Sequence, residues 1–134
     1  MKVLLDTNIC IYIIKKQPPS VLERLQDYQV GEICISTITL YELMYGVYKS
    51  QLLEVNRQAI RQFVSPLEVL PFDEGAADWC GYIRAILEQE GKIIGPMDLQ
   101  IAAIALSYSL TLITNNEKEF KRIKQLNVEN WIKL

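Results

Sequence analysis

Short strand-like runs alternate with longer stretches of helical apolar spacing along the whole chain. KVLL (2–5), ICI (33–35), EVLP (68–71) and TLI (111–113) have strand length, and the segments between them repeat apolar residues every three or four positions. The spacing predicts a helix over 8–16 that ends in Lys15 and Lys16 and is stopped by Pro18 and Pro19. Ser20 is then expected to cap a second helix, VLERLQDY, by accepting the free amides of its first turn. Further helices are expected over 36–48, where Ile38, Leu40, Leu43, Met44 and Val47 suit one, over 53–64, and over 74–90 with Gly91 as left-handed C-cap. Pro96 suits the first turn of the next helix, because its missing amide costs nothing there. Beyond strand TLI the pattern gives a polar turn (TNNEKEF), a short helical piece (KRIKQL) and a candidate terminal strand in VENWIKL.

Strands alternating with helices argue for an α/β fold with a central, mainly parallel sheet. No repeat, low-complexity tract or linker interrupts the 134 residues, so 1–134 is read as a single domain of common size. No stretch approaches the ~20 apolar residues of a membrane span. The apolar start is cut by Asp6, too early for a signal-peptide core, and a cytoplasmic protein is expected. Cys10, Cys34 and Cys80 are scattered and odd in number, which suits buried core thiols rather than a metal knuckle or disulfide frame.

The chain contains no histidine. Ser-His-Asp and Cys-His catalysis, imidazole acid–base chemistry and the usual catalytic zinc site are thereby excluded. No GxxxxGK[ST] or GxGxxG turn is present, so nothing points to a nucleotide cofactor. Any catalysis must come from carboxylates, hydroxyls, amides, Lys and Arg.

Three acids stand in apolar settings at element ends. Asp6 directly follows the first strand and so faces the crevice beyond the strands' carboxyl ends, where open α/β sheets bind ligands. Glu42 lies in TLYELMYG, a segment otherwise free of charge. Asp98 occupies the first turn of a helix whose remainder, LQIAAIAL, is almost wholly apolar and should pack deep, carrying the acid inward. A fourth polar site follows strand TLI, where Asn115, Asn116, Glu117 and Glu119 are available. Each acid has a plain structural account: Asp6 as helix cap, Glu42 as a hydrogen-bonded buried acid, Asp98 as partner of the helix dipole. Together they form a cluster whose repulsion a cation would relieve. An oxygen-only donor set points to Mg²⁺ or Mn²⁺, and such a site is what metal-assisted phosphodiester hydrolysis uses.

In LLDTNICIY, STITLYELMYG, GPMDLQIAAIA, LITNNEKEFKRI and ENW, taken in this order, the chain resembles the PIN-domain ribonucleases, and among them the VapC toxins of bacterial toxin–antitoxin pairs. The resemblance covers essentially the whole sequence. It implies a three-layer α/β/α sandwich, a metal site of Asp6, Glu42 and Asp98, and a fourth acid at Glu119, with Asn116 where some members carry Asp. Thr7, Asn8, Thr114 and Asn116 match polar residues that line the pocket. It further implies Mg²⁺ or Mn²⁺ as cofactor, cleavage of RNA to a 5′-phosphate and a 3′-hydroxyl, inhibition of translation, a homodimer, and a VapB-type antitoxin as partner. The LDTNIC opening and the TNN(x)₂EF closing resemble the subgroup that cuts initiator tRNA.

Charge permits RNA binding without arguing for it. Fourteen basic residues face 16 acidic ones, a net of −2; setting the four candidate ligands aside leaves 12 acids and a balance of +2. Lys118, Lys121, Arg122 and Lys124 cluster after the last candidate acid, with Lys15 and Lys16 after the first helix and Arg57 and Arg61 one turn apart. A haloacid-dehalogenase-type phosphatase would need a second Asp where Asn8 stands, and a phospho-acceptor receiver domain an acidic pair near the start. The remaining alternative is a PIN-fold binding module for protein or RNA that has lost its chemistry. The aromatic-rich stretches IYII and YELMYGVY suit either a partner interface or the core.

Overall fold

The computed structural model describes residues 1–132. Five strands form one sheet: β1 (Val3–Leu5), β2 (Ile33–Ser36), β3 (Glu68–Leu70), β4 (Thr111–Ile113) and β5 (Val128–Glu129). All neighbouring pairs are parallel, in the order β3-β2-β1-β4-β5. β1 therefore sits in the middle, with Leu4 beside Cys34 on one edge and beside Leu112 on the other.

Parallel strands covered on both faces should be apolar throughout, and β1, buried at all three residues, is. Side chains alternate across it. Leu4, Cys34, Leu70 and Leu112 join one core with α5 (Glu74–Glu90) and α6 (Pro96–Ser107). Val3, Leu5, Ile33, Ile35 and Ile113 join the other, with α1 (Thr7–Lys15), α2 (Pro19–Leu25), α3 (Thr37–Tyr48) and α4 (Leu53–Val64). The result is the expected three-layer α/β/α sandwich. Since β2 lies on one side of β1 and β4 on the other, and the helices change face between them, the strand order reverses at β1 and β4. That reversal opens a crevice at their carboxyl ends.

Helix ends follow local chemistry, with two departures from expectation. Asp6 caps α1 through Ile9 N and Ser36 caps α3 through Thr39 N, each at 3.0 Å. Gly91, at φ 68°, ends α5 in the left-handed conformation that favours glycine. Ser20, however, is not a cap. Pro18 takes the cap position, Pro19 the first helical one, and the Ser20 hydroxyl instead donates to Ile132 O at 3.4 Å. Two adjacent prolines leave fewer free amides for a serine to satisfy.

The second departure lies after β4. A one-turn helix, α7 (Glu117–Phe120), forms inside the segment expected to be a polar turn, and KRIKQL is a chain of turns instead of a helix. Phe120, Ile123 and Leu126 are buried three residues apart. The amide of Ile123 donates to Phe120 O and that of Leu126 to Ile123 O, a three-residue repeat that suits turns. The terminal strand exists but covers only Val128–Glu129, and Lys133 and Leu134 of VENWIKL lie outside the described residues.

The cysteines are free; Cys10 and Cys34 are buried and Cys80 partly so. Tyr41, Tyr45 and Tyr48 point outward from α3, whereas Leu43 and Val47 face the core, so YELMYGVY serves both surface and interior. Among the described residues no helix is long and apolar enough to cross a membrane.

Candidate active site

The crevice at the reversal between β1 and β4 collects the candidate residues. Asp6, 6% exposed, has both carboxylate oxygens engaged. Oδ1 accepts from Ile9 N at 3.0 Å as the α1 cap, and Oδ2 accepts a short hydrogen bond from the Thr114 hydroxyl. Asp6 is thus a helix cap, and also more than one. Burial pushes its pKa up, the bonds from Thr114 and Ile9 pull it back, and nearby Glu42 adds to the rise.

Thr114, fully buried just beyond β4, is held in turn: its Oγ1 accepts from Asn116 N at 2.9 Å. The Asn116 side chain donates from Nδ2 to Glu119 Oε2 at 3.1 Å. The β4–α7 turn therefore links Asp6 to Glu119 through consecutive hydrogen bonds. On the other flank, Thr7 Oγ1 donates to Glu42 Oε1 at 2.7 Å and lies 3.1 Å from Thr39 Oγ1. Asn8 contributes its backbone N–H toward Asp6, and its side chain is exposed.

Asp98 enters on α6, whose neighbouring residues Leu99 and Ile101–Ala105 are buried. Its pKa is driven up to about 6, by desolvation first, then by the charge of Glu119, then by Asp6 and Glu42. A hydrogen bond with Glu119 raises it further. Gly95 brings the α6 entry close, since a Cβ there would lie 4.0 Å from Asp98 Oδ2.

All four candidate acids therefore lie close enough for the other three to bear on Asp98, and for Glu42 to bear on Asp6. They do not close into a cage: among the described residues no three acidic or thiol groups converge tightly enough to enclose an ion alone. The open arrangement suits one class of ion. Mg²⁺ and Mn²⁺ prefer oxygen donors, and Mg²⁺ keeps several of its waters, so a few carboxylates suffice. The donor set fits the group.

Two residues without an expected role also belong here. Ser36 and Thr39, both fully buried, form the turn that aims α3, and Thr39 meets Thr7. The Ser-x-x-Thr spacing at a strand-to-helix junction is the one signal that points to them.

The PIN domain family matches residues 3–126, which includes all four acids. The chain belongs to this family. It is 48% identical over 131 residues to the tRNA(fMet)-specific endonuclease VapC of Shigella flexneri, covering 98% of each chain. Among solved structures it is similar to DNA-bound VapBC of Salmonella typhimurium (TM-score 0.91, 44% identity, 98% of each chain). It is also similar to VapBC2 of Rickettsia felis bound to a promoter DNA fragment (TM-score 0.89, 45% identity, 98% of this chain and 99% of that one). In this PIN domain the crevice lies where β1 and β4 end, with its acids brought by β1, α3, α6 and α7.

Proposed function

We propose that the chain is a Mg²⁺- or Mn²⁺-dependent endoribonuclease toxin that hydrolyses tRNA, with initiator tRNA as the first substrate to test, and so inhibits translation. The observation that carries this reading is the gathering of Asp6, Glu42, Asp98 and Glu119 at one crevice, with Asp6, Glu42 and Glu119 each held by a hydrogen bond from a neighbouring side chain. Evolution toward stability alone would not concentrate like charges in a half-buried crevice. The full-length similarity to a tRNA(fMet)-specific endonuclease VapC supports the substrate.

Asp6, Glu42 and Asp98 would hold the ion, with Glu119 as the fourth carboxylate. Bound there, the ion supplies Lewis acidity, lowering the pKa of water and offsetting charge that grows on the phosphate. Thr114 and the Ile9 amide fix both oxygens of Asp6, and Thr7 fixes Glu42. Asn116 restrains Glu119 and is a supporting donor, so Glu119 is the better candidate ligand of the two. Such preset geometry lowers the reorganisation needed at the reacting phosphate.

The partner read from VapBC relatives is a VapB-type antitoxin, and the chain is proposed to work as one PIN domain in a homodimer. The test is cleavage of total RNA with and without Mg²⁺ or Mn²⁺, beside Asp6→Asn, with 5′ ends mapped by sequencing. Discrete metal-dependent cuts that vanish in the variant are expected. Cuts that persist in a clean Asp6→Asn preparation overturn the assignment.

A further inference from the structure

A basic basin is built from the two segments that lead to Asp98 and carry Glu119. An open concavity of about 690 Å³ is lined by Gly91, Lys92, Ile93, Lys118, Lys121 and Arg122. Its two walls are the segments that carry two of the acids. One wall is the α5–α6 connection, which continues through Gly95 to Asp98. The other is α7 and its following turn, which holds Glu119 between Lys118 and Lys121.

Three features suit it to a polyanion. Lys118 on α7 and Lys121 and Arg122 in the turn that follows it all line the same concavity. Arg122 donates from Nη1 to Ile93 O at 2.8 Å, tying the walls together and fixing the guanidinium at the basin. Lys92 and Lys118 are exposed and have no acidic partner among the described residues, whereas Lys121 stands 3.6 Å from Glu117. Unneutralised cations in a concave surface attract phosphates at several positions at once.

We propose that this basin holds RNA backbone phosphates flanking the scissile one, so that the strand runs from the acid crevice over α7 toward the α5–α6 connection. The proposal rests on the ribonuclease reading above. It assigns Lys92 and Lys118 as the free phosphate-binding cations and Arg122 as the fixed one. Because it reads charge and not bases, the basin should set affinity and register while leaving sequence choice to other surfaces.

The test uses the full chain with fluorescein-labelled total tRNA. Binding is followed by anisotropy across a NaCl series on the Asp6→Asn background, and cleavage is followed with native Asp6. Lys92→Ala with Lys118→Ala should weaken binding about tenfold or more. It should also flatten log K against log[NaCl] by roughly 0.7–0.9 for each phosphate that is no longer neutralised. KM should rise while kcat changes far less, and Lys→Arg at both positions should retain binding. Arg57→Ala with Arg61→Ala, a basic pair of similar size on α4, serves as control and should leave the slope unchanged. If the double Lys variant binds with native affinity and slope while the Asp6→Asn parent binds well, the basin is overturned and the ribonuclease reading stands. If the double variant stops binding a poly-glutamate peptide but binds tRNA as before, the basin belongs to a protein partner and the proposal is overturned too. If the native chain neither binds nor cuts RNA, the ribonuclease reading falls, and the basin with it.

Discussion

Thr114 donates its hydroxyl proton to Asp6 across 108 residues of sequence, and this bond joins the ends of the two central strands. It does two things at once: it satisfies a buried carboxylate and turns it toward the crevice. Replacing Thr114 with Val removes the donor and keeps the shape. Mn²⁺ affinity by calorimetry and RNA cleavage should both fall about 10–100-fold, the usual cost of losing a group that orients a ligand. Thr114→Ser should recover most of each. Unchanged metal affinity in the Val variant would show that Asp6 needs no such orientation.

The raised pKa of Asp98 sets the direction of pH dependence. Its folded value, about 6, lies above the ordinary 3.8, so between these the folded chain holds a proton that the unfolded chain releases. This contribution to stability is full below about pH 4 and is lost as pH rises through 6. Metal-free protein should therefore melt lower at pH 7 than at pH 5. Added Mg²⁺ should raise the melting temperature most at pH 7, where the carboxylate is free to bind it. A Mg²⁺ effect independent of pH would argue against Asp98 as a ligand.

Asp98→Asn removes one of the mutually repelling charges. The variant should be inactive yet more stable than the native chain at neutral pH without metal, by about 1 kcal/mol, as expected where function is held at the expense of stability. Its melting temperature should also vary less between pH 5 and 7. Urea unfolding of both proteins in chelator gives the comparison, and a less stable variant would mean that Asp98 is chiefly structural.

Thr7 donates to Glu42 at 2.7 Å, which couples α1 to α3 beside the crevice. Thr7→Val should lower the cleavage rate about tenfold or more, by the same ligand-orienting argument, and Thr7→Ser should recover it. Because Thr7 is only partly buried, stability should change by about 1 kcal/mol or less. A rate loss matched by an equal loss of folded protein would show that Thr7 supports the fold and does not orient Glu42.

Trp131 anchors the far end of the sheet. It is fully buried, stacks on Tyr28 at 5.5 Å between ring centroids, and donates from Nε1 to Glu129 Oε1 at 3.0 Å. Arg24 pairs with the same Glu129 and lies over the Trp131 ring. Trp131→Ala should cost about 3–5 kcal/mol by chemical denaturation. Arg24→Ala, at a half-exposed ion pair, should cost about 1 kcal/mol or less. Equal losses would mean that charge outweighs ring packing here.

What is legible in the sequence is chemistry that conflicts with its surroundings. Asp6 after VLL and Asp98 before LQIAAIAL are acids placed by apolar segments, and both sit in the crevice. The arrangement of β4 beside β1 is not legible that way, because local periodicity carries no strand order. Thr39 is hinted at only by its place three residues after Ser36, and its bond to Thr7, 32 residues away, leaves no trace in the local pattern. Phe120, Ile123 and Leu126 mislead because apolar spacing of three serves a helix face and a run of turns equally well.

The order of the strands has a consequence in time. Asp6 is synthesised almost at once, but β4, which leads into Thr114, is made more than a hundred residues later, and Glu119 later still. At about 5–20 residues per second, synthesis of the chain lasts on the order of ten seconds. Throughout most of that interval the growing polypeptide has no completed crevice, so the cell meets this site only as a finished molecule.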